Sequence, residues 1–205
     1  VFSWPLPTPN ISGAEPGPAL SSFNATLFNT TDFQQSTLYS VVPKTGSCAG
    51  DEFKINVHVN PGPRVIFSTA GDTQRICSGS STVDVNLSSP TPSANFEWHS
   101  TNPVITGISN LTTSGGNPAK IPGEVLINNT SAPISFADTV RAITSGAASC
   151  PGAPFVYQYT VNPTPKIPGP YNITICSLDS FNVNPTDAPP TTIVPAGTNF
   201  TWVVL

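Results

Sequence analysis

The stretch SCPGAPFVYQYTVNPTP at residues 149–165 repeats SCAGDEFKINVHVNPGP at residues 47–63, with cysteine, glycine and proline at matching positions. The two cysteines, Cys48 and Cys150, lie 102 residues apart. Each copy contains a run in which apolar and polar residues alternate, which is the pattern of a half-buried β-strand. Self-similarity at a fixed period indicates that one structural unit is used in series. The sequence therefore predicts tandem repeats of about 100 residues each.

Two further motifs recur with a similar period. The motif Ile-Cys-Ser surrounds both Cys77 and Cys176, which are 99 residues apart. The motif Phe-x-Trp ends at Trp4, Trp98 and Trp202, and these three account for every tryptophan in the chain. We interpret the tryptophans as core aromatic residues of successive repeats, since large aromatic side chains dominate core packing.

The order of these motifs predicts how the repeats divide the chain. Residues 1–63 are expected to be the C-terminal part of one repeat. Residues 64–166 are expected to form a complete repeat, and residues 167–205 the N-terminal part of the next. Two interpretations of the partial repeats remain open. Residues 167–205 of one copy complete the fold begun at residue 1 of another copy, or the chain is a segment of a longer array.

Composition argues against several functional classes. Charged residues make up only 9% of the 205 residues, and the formal net charge is −4. Lysines and arginines are scattered singly, so no basic patch is available to bind nucleic acid. No apolar run is long enough for a membrane span, and methionine and a signal peptide are both absent. The cysteines recur with the repeat and lack metal-ligand spacing, which predicts disulfides and an exported protein.

Proline and glycine residues separate short runs rich in β-branched and aromatic residues. No segment predicts a helix in preference to a strand. The complete repeat is therefore expected to be an immunoglobulin-like β-sandwich of seven strands, with Trp98 in the core on the third strand. The expected strands lie at residues 65–67, 82–87, 95–99, 105–111, 124–128, 135–143 and 155–161.

The ordered set Ile-Cys-Ser-Gly, Phe-x-Trp, Leu-Ile-Asn-Asn-Thr, Ser-Cys-Pro-Gly and Tyr-x-Val-Asn-Pro-x-Pro resembles the PKD-like repeats of giant secreted cell-surface proteins of Bacteroidota. The resemblance covers nearly the whole chain. It implies tandem β-sandwich modules in adhesins and gliding-motility filaments, exported by the type IX route and without catalytic activity. The third repeat departs from the pattern, because Leu178 stands where the complete repeat has Gly79.

Four cysteines, Cys48, Cys77, Cys150 and Cys176, allow three ways of forming two disulfides. A bridge between Cys77 and Cys150 lies within one repeat and is one interpretation. We expect Cys77 in the turn after the first strand and Cys150 in the turn before the seventh. If successive strands alternate in direction, these two turns lie at opposite ends of the sandwich, beyond the reach of a disulfide. The other interpretation is a bridge between consecutive repeats, in which case all four cysteines pair outside this segment or with another copy.

No group of residues in the sequence predicts catalysis, a metal site or a cofactor. His58 and His99 lie in strand-like runs without cysteine or carboxylate at ligand spacing. The carboxylates never reach the density of a calcium-binding loop. Motifs for nucleophilic catalysis, paired catalytic carboxylates and phosphate-binding glycine loops are all absent from the sequence.

Glycosylation is the modification that the sequence does predict. Asn-x-Ser/Thr occurs nine times, and Asp138-Thr139-Val140 matches the O-glycosylation motif that the Bacteroidota resemblance implies. Sugars would supply the solubility that charged residues usually supply. The candidate acceptors are Thr139 and Asn10, Asn24, Asn29, Asn86, Asn110, Asn128, Asn129, Asn172 and Asn199.

Two functions from different classes follow. The first is a non-catalytic structural and adhesive repeat segment of an extracellular cell-surface filament or giant adhesin. Its expected partners are copies of itself or neighbouring repeats, with surface glycans as a further candidate. The second is a carbohydrate-binding module of a secreted enzyme that stacks sugars on Tyr157, Tyr159 or Tyr171. Because Tyr157 and Tyr159 share one face of a strand, burial in a core or interface is the expectation favoured for them.

Overall fold

The computed structural model of the chain describes residues 1–67, 71–101, 104–109, 111–114, 116–146 and 148–203, and for 111–114 it describes only the backbone. The described residues form strands, turns and loops, and none of them is helical. The predicted all-β fold is confirmed. Within these ranges, no helix exists that could cross a membrane.

Thirteen strands are defined in the described residues. The N-terminal ones are β1 (Phe2–Trp4), β2 (Gly17–Leu20), β3 (Gln35–Thr45), β4 (Cys48–Ala49) and β5 (Phe53–Val59). The others are β6 (Ile66–Phe67), β7 (Thr73–Cys77), β8 (Val85–Ser88), β9 (Ala94–Ser100), β10 (Leu111–Ser114), β11 (Ala119–Ile121), β12 (Ile134–Thr144) and β13 (Phe155–Asn162).

Residues 1–63, called the first unit below, form one sheet. Its strand order is β2-β1-β3-β4, and β5 pairs with β3 over seven residues in an antiparallel hairpin. Alternate residues of β3 face a small core that contains Trp4, Tyr39 and Val41. The connection from β3 to β5 contains the short strand β4, whose first residue is Cys48.

Residues 64–166, called the second unit, form a sandwich of two sheets. One sheet has the order β10-β9-β12-β13-β7 and the other has the order β11-β8-β6. Side chains from both sheets meet in one apolar core, to which β9 contributes Phe96 and Trp98 and β8 contributes Val85 and Leu87. The two units share a pairing of strands. Trp98 of β9 pairs with Val140 of β12. The register of β1 on β3 places Trp4 beside Val41 in the same way.

The expected strands at 95–99, 135–143 and 155–161 match β9, β12 and β13 to within one residue at each end. Two other expectations were less accurate. The segment 82–87 is a strand only from Val85 onward, and 124–128 contributes isolated bridges at Val125 and Ile127 in place of a continuous strand. The segment 105–111 has a bridge at Thr106, and residue 110 lies outside the described residues.

Strand β7 was not predicted, because its sequence Thr-Gln-Arg-Ile-Cys contains only one large apolar residue. It is an edge strand that pairs in parallel with β13, and its neighbour β6 belongs to the other sheet. The first strand of the sandwich is thus divided between the two sheets. The expectation that Cys77 lies in a turn is corrected accordingly, since Cys77 is the last residue of β7.

Residues 167–203, called the tail, form no strand among the described residues and make only isolated bridges, one of which joins Lys166 to Ile193. The expectation that Trp202 is a core residue is wrong for this structure, since Trp202 is 84% exposed. No sheet of the described residues packs over the end of the tail, so this tryptophan has no core to enter. Trp4 and Trp98 are buried.

Candidate interface between repeats

The repeated stretch, residues 47–63 and 149–165, lies where the two units meet. Its first copy ends in Val59-Asn60-Pro61-Gly62-Pro63, and both prolines are buried. The carbonyl of Pro63 lies directly against Gly152 of the second unit, so that a Cβ added at Gly152 would overlap this oxygen. Only glycine leaves room for this approach of two backbones.

Polar contacts hold the same junction. The side-chain amide of Asn60 donates a hydrogen bond of 3.1 Å to the carbonyl of Ala148, in the turn between β12 and β13. Arg64, immediately after the prolines, forms an exposed ion pair of 3.4 Å with Asp32 of the first unit. Exposed pairs of this kind contribute little to stability, so we assign the junction mainly to the close backbone packing.

The Val-Asn-Pro-x-Pro end of one unit therefore contacts the Ser-Cys-x-Gly turn of the next. These are the two ends of the repeated stretch. A cleft of about 520 Å³ lies beside this contact and is lined by both units, including Gln34 and His58 on one side and Pro92 and Ser145 on the other. Recurrence of both motifs gives each unit the parts for a further junction of the same kind.

Among the predicted glycosylation sites that the structure describes, Asn128 makes the largest number of hydrogen bonds. Its side-chain amide donates to the carbonyls of Ala132 and Val161, at 2.8 and 2.9 Å. Its Oδ1 accepts from both the backbone N–H and the hydroxyl of Thr130. The residue is only 1% exposed. The expectation of a glycan at Asn128 is therefore corrected, because its amide nitrogen is buried and engaged in the fold.

Asn29 makes the same set of contacts in the first unit. Its amide donates to the carbonyls of Phe33 and Val59, at 2.7 and 2.8 Å, and its Oδ1 accepts twice from Thr31. Val59 ends β5 as Val161 lies near the end of β13. The two Asn-x-Thr triplets are thus structural clamps that tie a loop to the last strand of each unit. Sequence reasoning missed this role, although the period of 99 residues between the triplets was a usable signal.

The remaining candidate acceptors differ in what the structure says of them. Thr139 is exposed on the outer face of β12, between His99 and Val156 of the neighbouring strands. Asn110 lies outside the described residues. The other predicted sites are exposed and stay predictions: Asn10, Asn24, Asn86, Asn129, Asn172 and Asn199.

All four cysteines are free thiols in this structure, and Cys48, Cys77 and Cys176 are exposed while Cys150 is half-buried. Cys77 lies opposite Asn162 at the far end of β13, whereas Cys150 precedes the near end of that strand. The length of β13 separates them by roughly 20 Å at the rise of an extended strand. A disulfide needs Cα atoms within about 7 Å. This geometry is incompatible with a Cys77–Cys150 bridge inside the unit.

One carboxylate is buried in the second unit. Asp138, in the middle of β12, accepts a hydrogen bond from the hydroxyl of Ser100 and another from that of Tyr159. Removal from water raises the pKa of Asp138 above its ordinary value, although both hydrogen bonds act in the opposite direction. Burial raises the pKa of the Tyr159 hydroxyl as well. Asp138, Ser100 and Tyr159 are all buried, so the geometry of the cluster is that of a core polar contact.

The proposed sugar-stacking surface does not exist at two of its three residues. Tyr157 and Tyr159 are buried, and their rings pack against each other and against Phe67 and Phe136. Tyr171 is exposed. In the described part of the chain, no three residues of the metal-binding types come together.

Comparison with known proteins gives one match. A family model for a PKD-like domain matches the chain over residues 1–63 and again over residues 74–165. Each matched range ends at the last proline of a Val-Asn-Pro-x-Pro motif. No curated protein matches the chain.

Proposed function

The chain belongs to the PKD-like domain family, and we propose that it is a non-catalytic structural and adhesive segment of an extracellular filament or giant adhesin. The observation that supports this most directly is the junction, in which Pro63 of one unit packs on Gly152 of the next. The glycine allows the backbones of two neighbouring units to pack in direct contact, and such close packing suits a stiff array. Length and spacing are then the properties that the repeats supply.

Location outside the cell is part of the proposal. PKD-like domains occur in extracellular proteins. The low content of charged residues in this chain is consistent with that location. The exposed candidate acceptors lie on both units and the tail, so attached sugars would cover the surface without entering a core. The similarity to giant proteins of Bacteroidota extends the proposal to a cell-surface or gliding filament of such an organism.

Immunogold electron microscopy tests this function on intact cells of the source organism. Antibodies raised against the purified chain should label filaments that project from the cell surface, with repeated labelling along one filament. The matched control is the same antibody after absorption with the chain. Labelling confined to the cell interior, or to compact particles free in the medium, would contradict the proposal.

The carbohydrate-binding alternative loses its main support through the burial of Tyr157 and Tyr159. Tyr171 alone does not form a stacking platform, since sugar chains bind along several aromatic rings. We therefore propose the structural function alone.

A further inference from the structure

The first unit has a strand edge that its counterpart in the second unit does not have. Strand β13 pairs with β12 on one side and with β7 on the other. Its counterpart β5 pairs only with β3 among the described residues. The backbone groups along the other edge of β5 are therefore available to a further strand.

The same difference is visible in the core. Tyr157, Tyr159 and Val161 of β13 are fully buried. Ile55, Val57 and Val59, at the corresponding positions of β5, are only half-buried. A strand and a turn are thus missing over this face of the first unit within the described residues.

A second set of contacts is present in the second unit and has no counterpart among the described residues of the first. In the second unit, the hydroxyl of Ser78 donates to the carbonyl of Asn128 and accepts from its N–H, at 3.2 and 2.9 Å. The N–H of Gly79 donates to the carbonyl of Leu126. The first unit repeats the clamp at Asn29, but in the part of the chain that the structure describes no Ser-Gly pair contacts it.

The tail contains a segment whose sequence matches the end of β7. Its Ile175-Cys176-Ser177 repeats Ile76-Cys77-Ser78. The turn that follows is already formed, since the N–H of Asp179 donates to the carbonyl of Cys176 at 3.1 Å, as Ser80 does to Cys77 at 3.0 Å. Leu178 has φ of 75° where Gly79 has 85°.

Apolar side chains of this segment have no core in the free chain. Ile173 and Ile175 are 49% and 47% exposed. Their counterparts in β7, Gln74 and Ile76, are the two residues of that strand that are half-buried. The side chains of the tail that would point inward are thus more apolar than those already used by the second unit.

We propose that residues 172–178 of one copy of this chain add a parallel strand to the free edge of β5 of a second copy. By the register of β7 on β13, Ile173 would lie opposite Val57, Ile175 opposite Val59 and Cys176 opposite Asn60. Ser177 would reach the clamp at Asn29. This is strand addition to an open sheet edge, in which main-chain hydrogen bonds supply affinity and side-chain pockets supply specificity.

The proposal rests on the filament function and gives it a mechanism of growth. The donor segment, residues 172–178, and the acceptor edge, β5, are different parts of the chain, so the contact is heterologous. Heterologous contacts build an open filament when the rotation from one copy to the next does not close a ring. Each added copy would present a new tail, and the Pro165 end of one copy would reach Gly50 of the next as Pro63 reaches Gly152.

The four free cysteines follow from the same arrangement. Cys176 would lie beside Asn60, whose amide already contacts Ala148, two residues before Cys150. Cys77 lies opposite Asn162, which corresponds to Asn60 in the repeat, and Cys48 corresponds to Cys150. Cys77 of the donor copy would therefore lie beside Cys48 of the acceptor copy. Exchange with a small disulfide such as oxidised glutathione would form each bridge: two thiols lose two protons and two electrons, and one disulfide is reduced to two glutathione thiols.

Light scattering on the reduced chain tests the assembly across a concentration series. The mass should rise above the 21.4 kDa of one chain as concentration increases. The variant I175K should remain at the mass of one chain, since it places a charge where an apolar side chain docks. The matched control T174K should assemble like the wild type, because Arg75 is exposed at the corresponding position of β7.

Both substituted side chains are exposed in the free chain, so neither variant depends on refolding a core. A mass of one chain at all concentrations would assign the β5 edge to another occupant and overturn the proposal. Equal assembly of I175K and T174K would also overturn it. Neither result would affect the cell-surface labelling that tests the filament function.

Peptide mapping after treatment with oxidised glutathione gives a second measurement. We expect intermolecular disulfides that join Cys176 to Cys150 and Cys77 to Cys48, and we expect I175K to lose both. Bridges that join like cysteines, or a Cys77–Cys150 bridge within one chain, would contradict the register.

Discussion

At the scale of single residues, Asn128 shows how a surface motif becomes a core contact. A glycosylation triplet and a loop clamp have the same sequence, Asn-x-Thr, because both use the amide and hydroxyl of one short segment. The amide of Asn128 instead satisfies Val161 and Ala132, whose carbonyls lie at the end of β13 and in the loop before β12. Burial cannot be read from the triplet alone, so this role was not predictable without the strand register.

Replacing Asn128 with alanine should lower the free energy of unfolding by about 2–3 kcal/mol, because it leaves buried carbonyls unpaired. The N129A variant, at the exposed neighbouring residue, should change it by less than about 0.5 kcal/mol. Chemical denaturation followed by tryptophan fluorescence measures both. Equal stability of the two variants would show that the clamp does not support the fold.

Asp138 gives the second prediction at this scale. Its raised pKa in the fold means that its contribution to stability is fully present below the pKa of the unfolded chain, and is lost as pH rises through the folded pKa. The D138N variant should lack this loss. The free energy of unfolding of the wild type should therefore fall relative to D138N between acidic and neutral pH.

Urea denaturation across a pH series measures that difference. The matched control is D51N, at an exposed carboxylate. If D138N and the wild type show parallel pH profiles, the buried carboxylate does not have a raised pKa. The carboxylate itself was visible in the sequence, but its burial was not, because Asp138 was interpreted as part of a surface motif.

At the scale of strands and turns, the central strands β9, β12 and β13 were predictable because they alternate apolar and polar residues over their whole length. Edge elements were not. Strand β7 has one face against the core and the other in water, and it carries only Ile76 as a large apolar residue. Its position depends on a parallel partner that is more than 80 residues away in the sequence, which no local pattern reports.

The free edge of β5 should be visible in hydrogen exchange. In the I175K chain, every second amide of β5 should exchange roughly 100-fold faster than the amides of β13, which are bonded to strands on both sides. In the assembled wild type, the amides of β5 should be protected to the same degree as those of β13. Uniform protection of β5 in I175K would show that its edge is covered within one chain.

The turn that contains Gly152 gives a prediction on the junction. A Cβ at this position overlaps the Pro63 carbonyl, so G152A should loosen the contact between the units while leaving each core intact. The bond after Arg64 should then be cut by trypsin roughly tenfold faster, as expected for a contact weakened by about 1.4 kcal/mol.

The matched control is G50A, at the corresponding turn of the first unit, where the nearest contact of a Cβ is 3.1 Å from the ring of Pro43. Cleavage of G50A should proceed at the wild-type rate under reducing conditions at low concentration. Equal cleavage rates for G152A and the wild type would mean that the glycine is not required by the junction.

At the scale of the whole molecule, the repeated stretch predicts tandem units of about 100 residues. It did not show what the repetition is for. The structure brings the proline end of one copy against the cysteine-glycine turn that begins the other, so the most similar parts of the two units include the surfaces through which units meet. Such a contact joins residues almost 90 positions apart, and only the folded chain displays it.

Residual dipolar couplings test most directly whether this junction is rigid. They are to be measured on the I175K chain, which stays a single copy, for amides of the first unit and of the second. A rigid junction predicts that one alignment tensor fits both units, with the same axes and magnitude. Two tensors of different magnitude would show units that move independently, and would contradict the account of this chain as a stiff segment of a filament.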